Sequence, residues 1–109
     1  TNNFTTLDKF VEKREIKNID FIKIDVDGNE KFVLESSIET LKKFKPIIFL
    51  ELAPYLYKEN NYEFKDLHKI FIELGYLFYT SKLKKIIDIN QYVLSINLGS
   101  SKNVYLIKK

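Results

Sequence analysis

Residues 19–30 constrain this chain more than any other stretch. They read Ile19-Asp20-Phe21-Ile22-Lys23-Ile24-Asp25-Val26-Asp27-Gly28-Asn29-Glu30, a nearly continuous apolar run that ends in acids and a glycine. A short apolar run bounded by turn residues predicts a strand buried on both faces, of the kind found inside parallel sheets. Its acids Asp25, Asp27 and Glu30 fall at the C-terminal end. Open α/β sheets bind their ligands at that end. One segment thus supplies both the centre of a core and the mouth of a site.

The rest of the chain alternates around it. Thr5-Thr6-Leu7-Asp8 has capping-box spacing, with Thr5 as N-cap and Asp8 reaching back. Leu7, Phe10 and Val11 follow at helical spacing, so a helix is expected over residues 6–15. The strand then runs over residues 19–26. Asp27 and Glu30 repeat the capping-box spacing before Phe32, Val33 and Leu34, with Asp27 as N-cap. A further cap signal at Ser36-Ser37-Ile38-Glu39 predicts a break, or a second short helix with Ile38, Leu41 and Phe44 on one stripe.

Pro46 opens a second apolar strand, residues 47–52, and Pro54 ends it. Two such strands joined by helix make a parallel βαβ unit. After a turn at residues 60–62, Phe64, Leu67, Phe71 and Leu74 mark an amphipathic helix, with Gly75 at its C′ position. Residues 76–80 read as a third strand. Residues 83–89 read as an edge strand, residues 92–98 as strand or helix, and residues 104–107 as the last strand.

A length of 109 residues suits one domain with one core, spanning 1–109. The chain has no cysteine, which excludes disulfides and thiolate chemistry. No apolar run approaches the ~20 residues of a membrane helix, and the polar N-terminus lacks a signal-peptide core. The expected location is the cytoplasm. The net charge is +3, its lysines are mixed with acids, and Arg14 is the lone arginine. That pattern argues against a nucleic-acid or membrane partner.

The residues 21–30, then Val33-Leu34, then Lys45-Pro46-Ile47-Ile48-Phe49-Leu50-Glu51-Leu52, resemble the C-terminal half of FkbM-type methyltransferases. Thr6-Leu7-Asp8 upstream and Leu74-Gly75-Tyr76 downstream also resemble that family. The resemblance covers residues 5 to 80, in order. The chain departs from the pattern at Asp27, where the family more often has glutamate, and near Ser36, where it more often has glycine.

The resemblance implies a Rossmann-like α/β fold, the C-terminal half of a mostly parallel sheet flanked by helices. It implies an S-adenosylmethionine-dependent enzyme that methylates a hydroxyl of a sugar or natural product. An alcohol is a poor nucleophile while protonated, so a carboxylate base or a divalent metal is useful. Asp25, Asp27 and Glu51 are the catalytic candidates, Asn29 and Glu30 the candidates for binding the acceptor. Asp25 and Asp27 are the candidates for a metal. No residue of this chain is assigned to the cofactor. Its three glycines, Gly28, Gly75 and Gly99, are far apart, and a nucleotide-type cofactor needs a glycine-rich turn. The expectation is therefore a half domain, inactive alone. Its 19–26 strand would lack one neighbour and become an edge through which the chain self-associates.

Structural readings compete at each position. Lys23 and Glu51 suit a buried ion pair, Gly28 a turn, and the lone His68 a helix face. Asp25-Val26-Asp27-Gly28 also matches the nucleophile motif of haloacid-dehalogenase-type phosphatases, with Asp25 attacking phosphate and Asp27 as acid/base. Asn29 stands where that motif has threonine, and no paired acids follow a later strand. A calcium loop fails because Lys23 and Leu34 occupy ligand positions. The non-enzyme alternative is a small α/β interaction module.

Overall fold

A computed structural model describes residues 5–109; residues 1–4 lie outside the described part. The chain forms α1 (Leu7–Lys13), β1 (Phe21–Ile24), α2 (Glu30–Glu35), α3 (Ile38–Phe44) and β2 (Ile47–Leu52). It continues through α4 (Pro54–Glu59), α5 (Phe64–Glu73), β3 (Tyr76–Thr80), α6 (Ile89–Leu94) and β4 (Lys102–Lys108). The four strands form one sheet in the order β1-β2-β4-β3. No helix among the described residues is long and apolar enough to cross a membrane.

The βαβ unit is present. β1 and β2 are parallel, with Phe21 beside Ile47 and Ile24 beside Leu50. The sheet as a whole is mixed, which corrects the mostly parallel expectation. β4 inserts antiparallel between β2 and β3, pairing Leu50 with Val104 and Phe78 with Leu106. β4 is thus an interior strand of this sheet, and Val104 and Leu106 are fully buried.

Strand alternation places Ile22, Ile24, Ile48, Leu50, Leu52, Tyr76, Phe78, Val104 and Leu106 on one face. These residues pack with Leu34, Leu41, Tyr57, Leu67 and Phe71 of the helices into a single core. Each such side chain contributes about 2 kcal/mol when buried. The opposite face is not covered to the same degree, which corrects the expectation of strands buried on both sides. Phe21 is 52% exposed and Ile47 38%. Phe49 packs its ring edge-on against Tyr105 on that face, at 5.0 Å between centroids.

Other differences are local. Helix α1 is shorter than 6–15, and its N-cap is Thr6, whose side chain accepts from Lys9 N. The break at Ser36 is real and separates α2 from α3. Pro54 does end β2, but as the first residue of α4, an element the sequence reading lacked. Residues 83–89 form no named strand. They run beside β3 through one bridge, Tyr79 to Lys85, with Ile86 N donating to Phe78 O. The 92–98 ambiguity resolves to the short helix α6. Helix α5 begins with a capping box between Glu63 and Asp66 and ends at Gly75, whose φ is +82°.

Asp8 is not part of its own helix cap. It reaches across 31 or 32 residues to the start of α3. There it accepts from Glu39 N at 3.2 Å, Thr40 N at 2.9 Å and Thr40 Oγ1 at 2.6 Å. Ser37, the N-cap position of α3, spends its hydroxyl on Val33 O instead. Asp8 therefore supplies the missing cap and fastens α1 to the domain. Asp8→Ala should cost about 1–2 kcal/mol in urea denaturation, near the upper range for a lost cap. An unchanged midpoint and slope would show that water replaces these bonds at no cost.

Candidate functional site

The site grows from the C-terminal ends of the two parallel strands. Ile24, the last residue of β1, lies beside Leu50, so Asp25 follows directly after β1 while Glu51 continues β2. By alternation both belong to the less covered face, with Lys23 and Phe49. Asp25 is exposed and Glu51 half-buried. On its other side Glu51 is registered with Asn103 of β4. The Lys23–Glu51 ion pair does not form. Among the described residues the salt bridge present is Lys65–Glu63, on the surface.

Beyond Asp25 the chain turns sharply. Asp27 has φ +47° and Gly28 φ +99°. Asp27 is thus an exposed residue in the left-handed region, which Asp and Asn tolerate best among side chains with a Cβ. It is not the N-cap of α2. That position falls to Asn29, whose side chain makes no capping bond and is exposed. The predicted capping box fails because its first member belongs to the turn.

Gly28 is buried, and a Cβ there would collide with Asn60 Nδ2 and crowd Leu56 O. Asn60 itself donates from Nδ2 to Leu56 O at 2.8 Å. Tyr62 Oη donates to Gly28 O at 2.6 Å, and Lys31 N reaches Tyr62 Oη at 3.5 Å. Tyr62 also stacks on Tyr57, with ring centroids 5.2 Å apart. Tyr57 is fully buried; its Oη donates to Glu51 O and accepts from Ala53 N. Two tyrosines thereby tie the acidic turn after β1 to the end of β2. Burial pushes the Tyr62 hydroxyl up to about 12, and that of Tyr57 higher still, so both act as neutral donors.

Glu30 lies beneath this turn. It is 3% exposed, and its Oε1 has no hydrogen-bond partner. Burial raises its pKa above the ordinary 4.5. The backbone N–H groups of Glu30, Gly28 and Val26 oppose that rise, and the charge of Asp27 adds to it. His68 is half-buried on α5, stacked on Phe64 at 5.5 Å, with its pKa lowered by burial.

Among the described residues, no three His, Asp or Glu side chains gather closely enough to hold a metal ion. Nor does the turn fit a nucleotide-type cofactor. The space at Gly28, which such a turn leaves open for phosphate or ribose, is filled by Asn60 and Leu56. A groove of about 510 Å³ does open beside the turn, lined by Pro54, Lys58, Tyr62, Phe64, Val93 and Leu94 among others. A larger cavity of about 620 Å³ lies between α1 and α3, lined by Asp8, Glu12 and Lys43 among others. Neither space is lined by Asp25, Asp27, Asn29, Glu30 or Glu51; the first reaches the turn through Tyr62, which bonds Gly28 O. The Tyr57–Tyr62 clasp, the buried Glu30 and this groove were not read from the sequence. The capping-box spacing at Glu30 was the signal closest to any of them.

Glu30 makes the site pH-sensitive. Its folded pKa lies above its unfolded one, so the folded chain holds this proton more tightly. The linked stability is full below the ordinary glutamate pKa and is lost as pH rises through the folded value. Glu30→Gln removes that loss. Its melting temperature should match wild type near about pH 4 and exceed it by about pH 8. A variant less stable than wild type at the higher pH would mean that the backbone amides hold the carboxylate more strongly than burial penalises it.

A family model described as the Methyltransferase FkbM domain matches residues 3–78. No curated protein and no solved structure matches the chain.

Proposed function

From the premise that the chain belongs to the FkbM methyltransferase family, we propose that it forms the acceptor-binding, proton-accepting half of an S-adenosylmethionine-dependent O-methyltransferase. The observation that carries this reading is the placement of Asp25 directly after β1 and of Glu51 near the end of the adjacent parallel strand β2. The acceptor is a hydroxyl of a small molecule or carbohydrate.

Asp25 is the base. It is exposed, follows a strand end, and makes no ion pair among the described residues, so its carboxylate is open to an acceptor hydroxyl. Glu51, half-buried on the adjacent strand, offers a second carboxylate to the acceptor. Asp27 and Asn29 project from the rigid turn and hydrogen-bond the acceptor's polar groups. Glu30 supports the turn from below. The methyl group comes from S-adenosylmethionine, held by a glycine-rich half outside these residues. The crowded turn at Gly28 supports that division.

Two measurements test this reading. Calorimetric titration of S-adenosylmethionine into the 109-residue chain should give no saturable heat; a micromolar Kd would place the cofactor site here and refute the division. In the enzyme that joins this half to its cofactor half, Asp25→Asn should lower kcat by about 10²–10⁴, as expected for loss of a general base. Asp27→Asn preserves the left-handed turn and should cost about tenfold or less, mainly in KM. Wild-type kcat in Asp25→Asn would leave positioning, without a carboxylate base, as the mechanism.

A further inference from the structure

The connector between β3 and β4 holds the most exposed apolar side chains among the described residues. Leu98 is 95% exposed, Ile87 87% and Leu94 76%, and Leu83 is also exposed. The same connector sends Ile86, Ile89, Tyr92, Val93 and Ile96 onto the core, so these four are the apolar residues it leaves outside. It lies beyond residues 3–78, which the family model matches, so nothing in that match gives it a role.

Strand pairing fixes where the connector sits. Thr80, at the end of β3, pairs with Val104 near the start of β4. Leu52, at the end of β2, pairs with Lys102. The connector therefore crowns the end of the sheet that carries Glu51 and, through the parallel β1, Asp25. Leu94 lines the groove with Pro54 and Phe64, and Leu98 lines a neighbouring recess with Tyr55. The exposed Lys58 borders both.

A tight turn opens the connector. Thr80 N donates to Lys84 O and Leu83 N donates to Thr80 O, each at 2.8 Å. Thr80 Oγ1 accepts from Lys82 N at 3.3 Å and from Lys84 N at 3.2 Å. Leu83 sits in this turn with φ +62°. Glycine or asparagine adopts left-handed backbone more readily than leucine does. Burial does not offset that cost, because the Leu83 side chain faces water. A strained, exposed apolar residue gains only when something outside the chain takes it up.

Charge selects what that is. Residues 81–102 contain Lys82, Lys84, Lys85 and Lys102 against one acid, Asp88. All four lysines are exposed and make no ion pair among the described residues. Asp88 is engaged as the N-cap of α6, accepting from Gln91 N at 3.1 Å. Over the whole chain lysines and acids are mixed, and that mixture hides this local excess. A soluble polyanion would pair with the lysines but leave the leucines in water. A second copy of the chain would bury the leucines but set lysine against lysine. The headgroup layer of an anionic bilayer satisfies both, being negative at its surface and apolar beneath.

We propose that residues 82–98 dock the domain on an anionic lipid surface. Leu83, Leu94 and Leu98 enter the interface, and Lys82, Lys84 and Lys85 meet the headgroups. Docking turns the end of the sheet that carries Asp25 and Glu51 toward the bilayer. The inference rests on turn geometry, exposure and charge, and stands apart from the enzymatic reading.

Co-sedimentation with vesicles tests it on the 109-residue chain. At low salt, vesicles of mixed phosphatidylserine and phosphatidylcholine should capture the chain at least about tenfold better than phosphatidylcholine alone. K82Q/K84Q/K85Q should weaken capture by about tenfold or more, since each lysine near such a surface counts for about fivefold. L83N should weaken capture severalfold while the melting temperature stays the same or rises, because asparagine suits the left-handed turn. A purely structural Leu83 would instead give a lower melting temperature with capture unchanged, which overturns the proposal. No capture by anionic vesicles, or equal capture by neutral ones, also overturns it. Capture lost in the lysine variant but indifferent to L83N and L94S/L98S would mark a site for soluble anions and refute docking. A dimer in light scattering that L94S/L98S dissolves would assign the patch to a second copy and refute it as well.

Discussion

The structure depends on the insertion of β4 between β2 and β3. Without it, β1 and β2 would be a two-stranded parallel ribbon, and β3 would have no ladder at all. Val104 and Leu106 lie opposite Leu50 and Ile48 on one side and Thr80 and Phe78 on the other. Both are fully buried, and they close the apolar face on which α2 to α5 rest. The core is therefore completed by β4, a strand far from β1 and β2 in sequence. β2 of the parallel pair, which carries Glu51, is backed by a strand some fifty residues further along.

That dependence explains what could be read from the sequence and what could not. Local patterns were legible: the parallel pair, the break at Ser36, α5 with its Gly75 terminus, and β3. Each is specified within about ten residues by apolar period, caps and turn residues. The position of β4 was not legible, because strand order is a property of the assembled sheet. The double-sided burial of β1 and β2 was misread for a related reason. Phe21, Ile47 and Phe49 are apolar, but hydrophobicity says only that a residue would gain from cover. Whether cover exists depends on how many layers the chain builds, and this one places its helical core on one face.

The misread caps follow the same rule. Capping-box spacing at residues 5–8 and 27–30 was genuine as spacing, yet both carboxylates serve elsewhere. Asp8 caps a helix that begins thirty residues away. Asp27 is taken into a left-handed turn whose geometry is set by Gly28 packing against α4. A cap predicted from spacing competes with any other orphan N–H that folding brings within reach. Pro54 shows the converse case: a residue that stops a strand also starts a helix, because both need its fixed φ and neither needs its N–H at that point.

The candidate site is organised by neutral groups, and this shapes its chemistry. Tyr57 and Tyr62 hold the ends of β1 and β2 together through backbone carbonyls, with no charge invested. Among the described residues the acids are consequently left without cations: Asp25 and Asp27 are exposed, and no ion pair forms at Glu51. A carboxylate clamped by a lysine would be a poorer base, since the neighbouring charge would lower its proton affinity. Only Glu30 is buried, and there the loss of water raises proton affinity instead, against the pull of the backbone N–H groups. The turn thus separates two kinds of acid within six residues. One kind is solvated and available to a ligand. The other is withdrawn from water and sensitive to the pH at which the domain folds. What separates them is the left-handed turn at Asp27 and Gly28, which directs the chain away from the sheet and sends the next carboxylate inward.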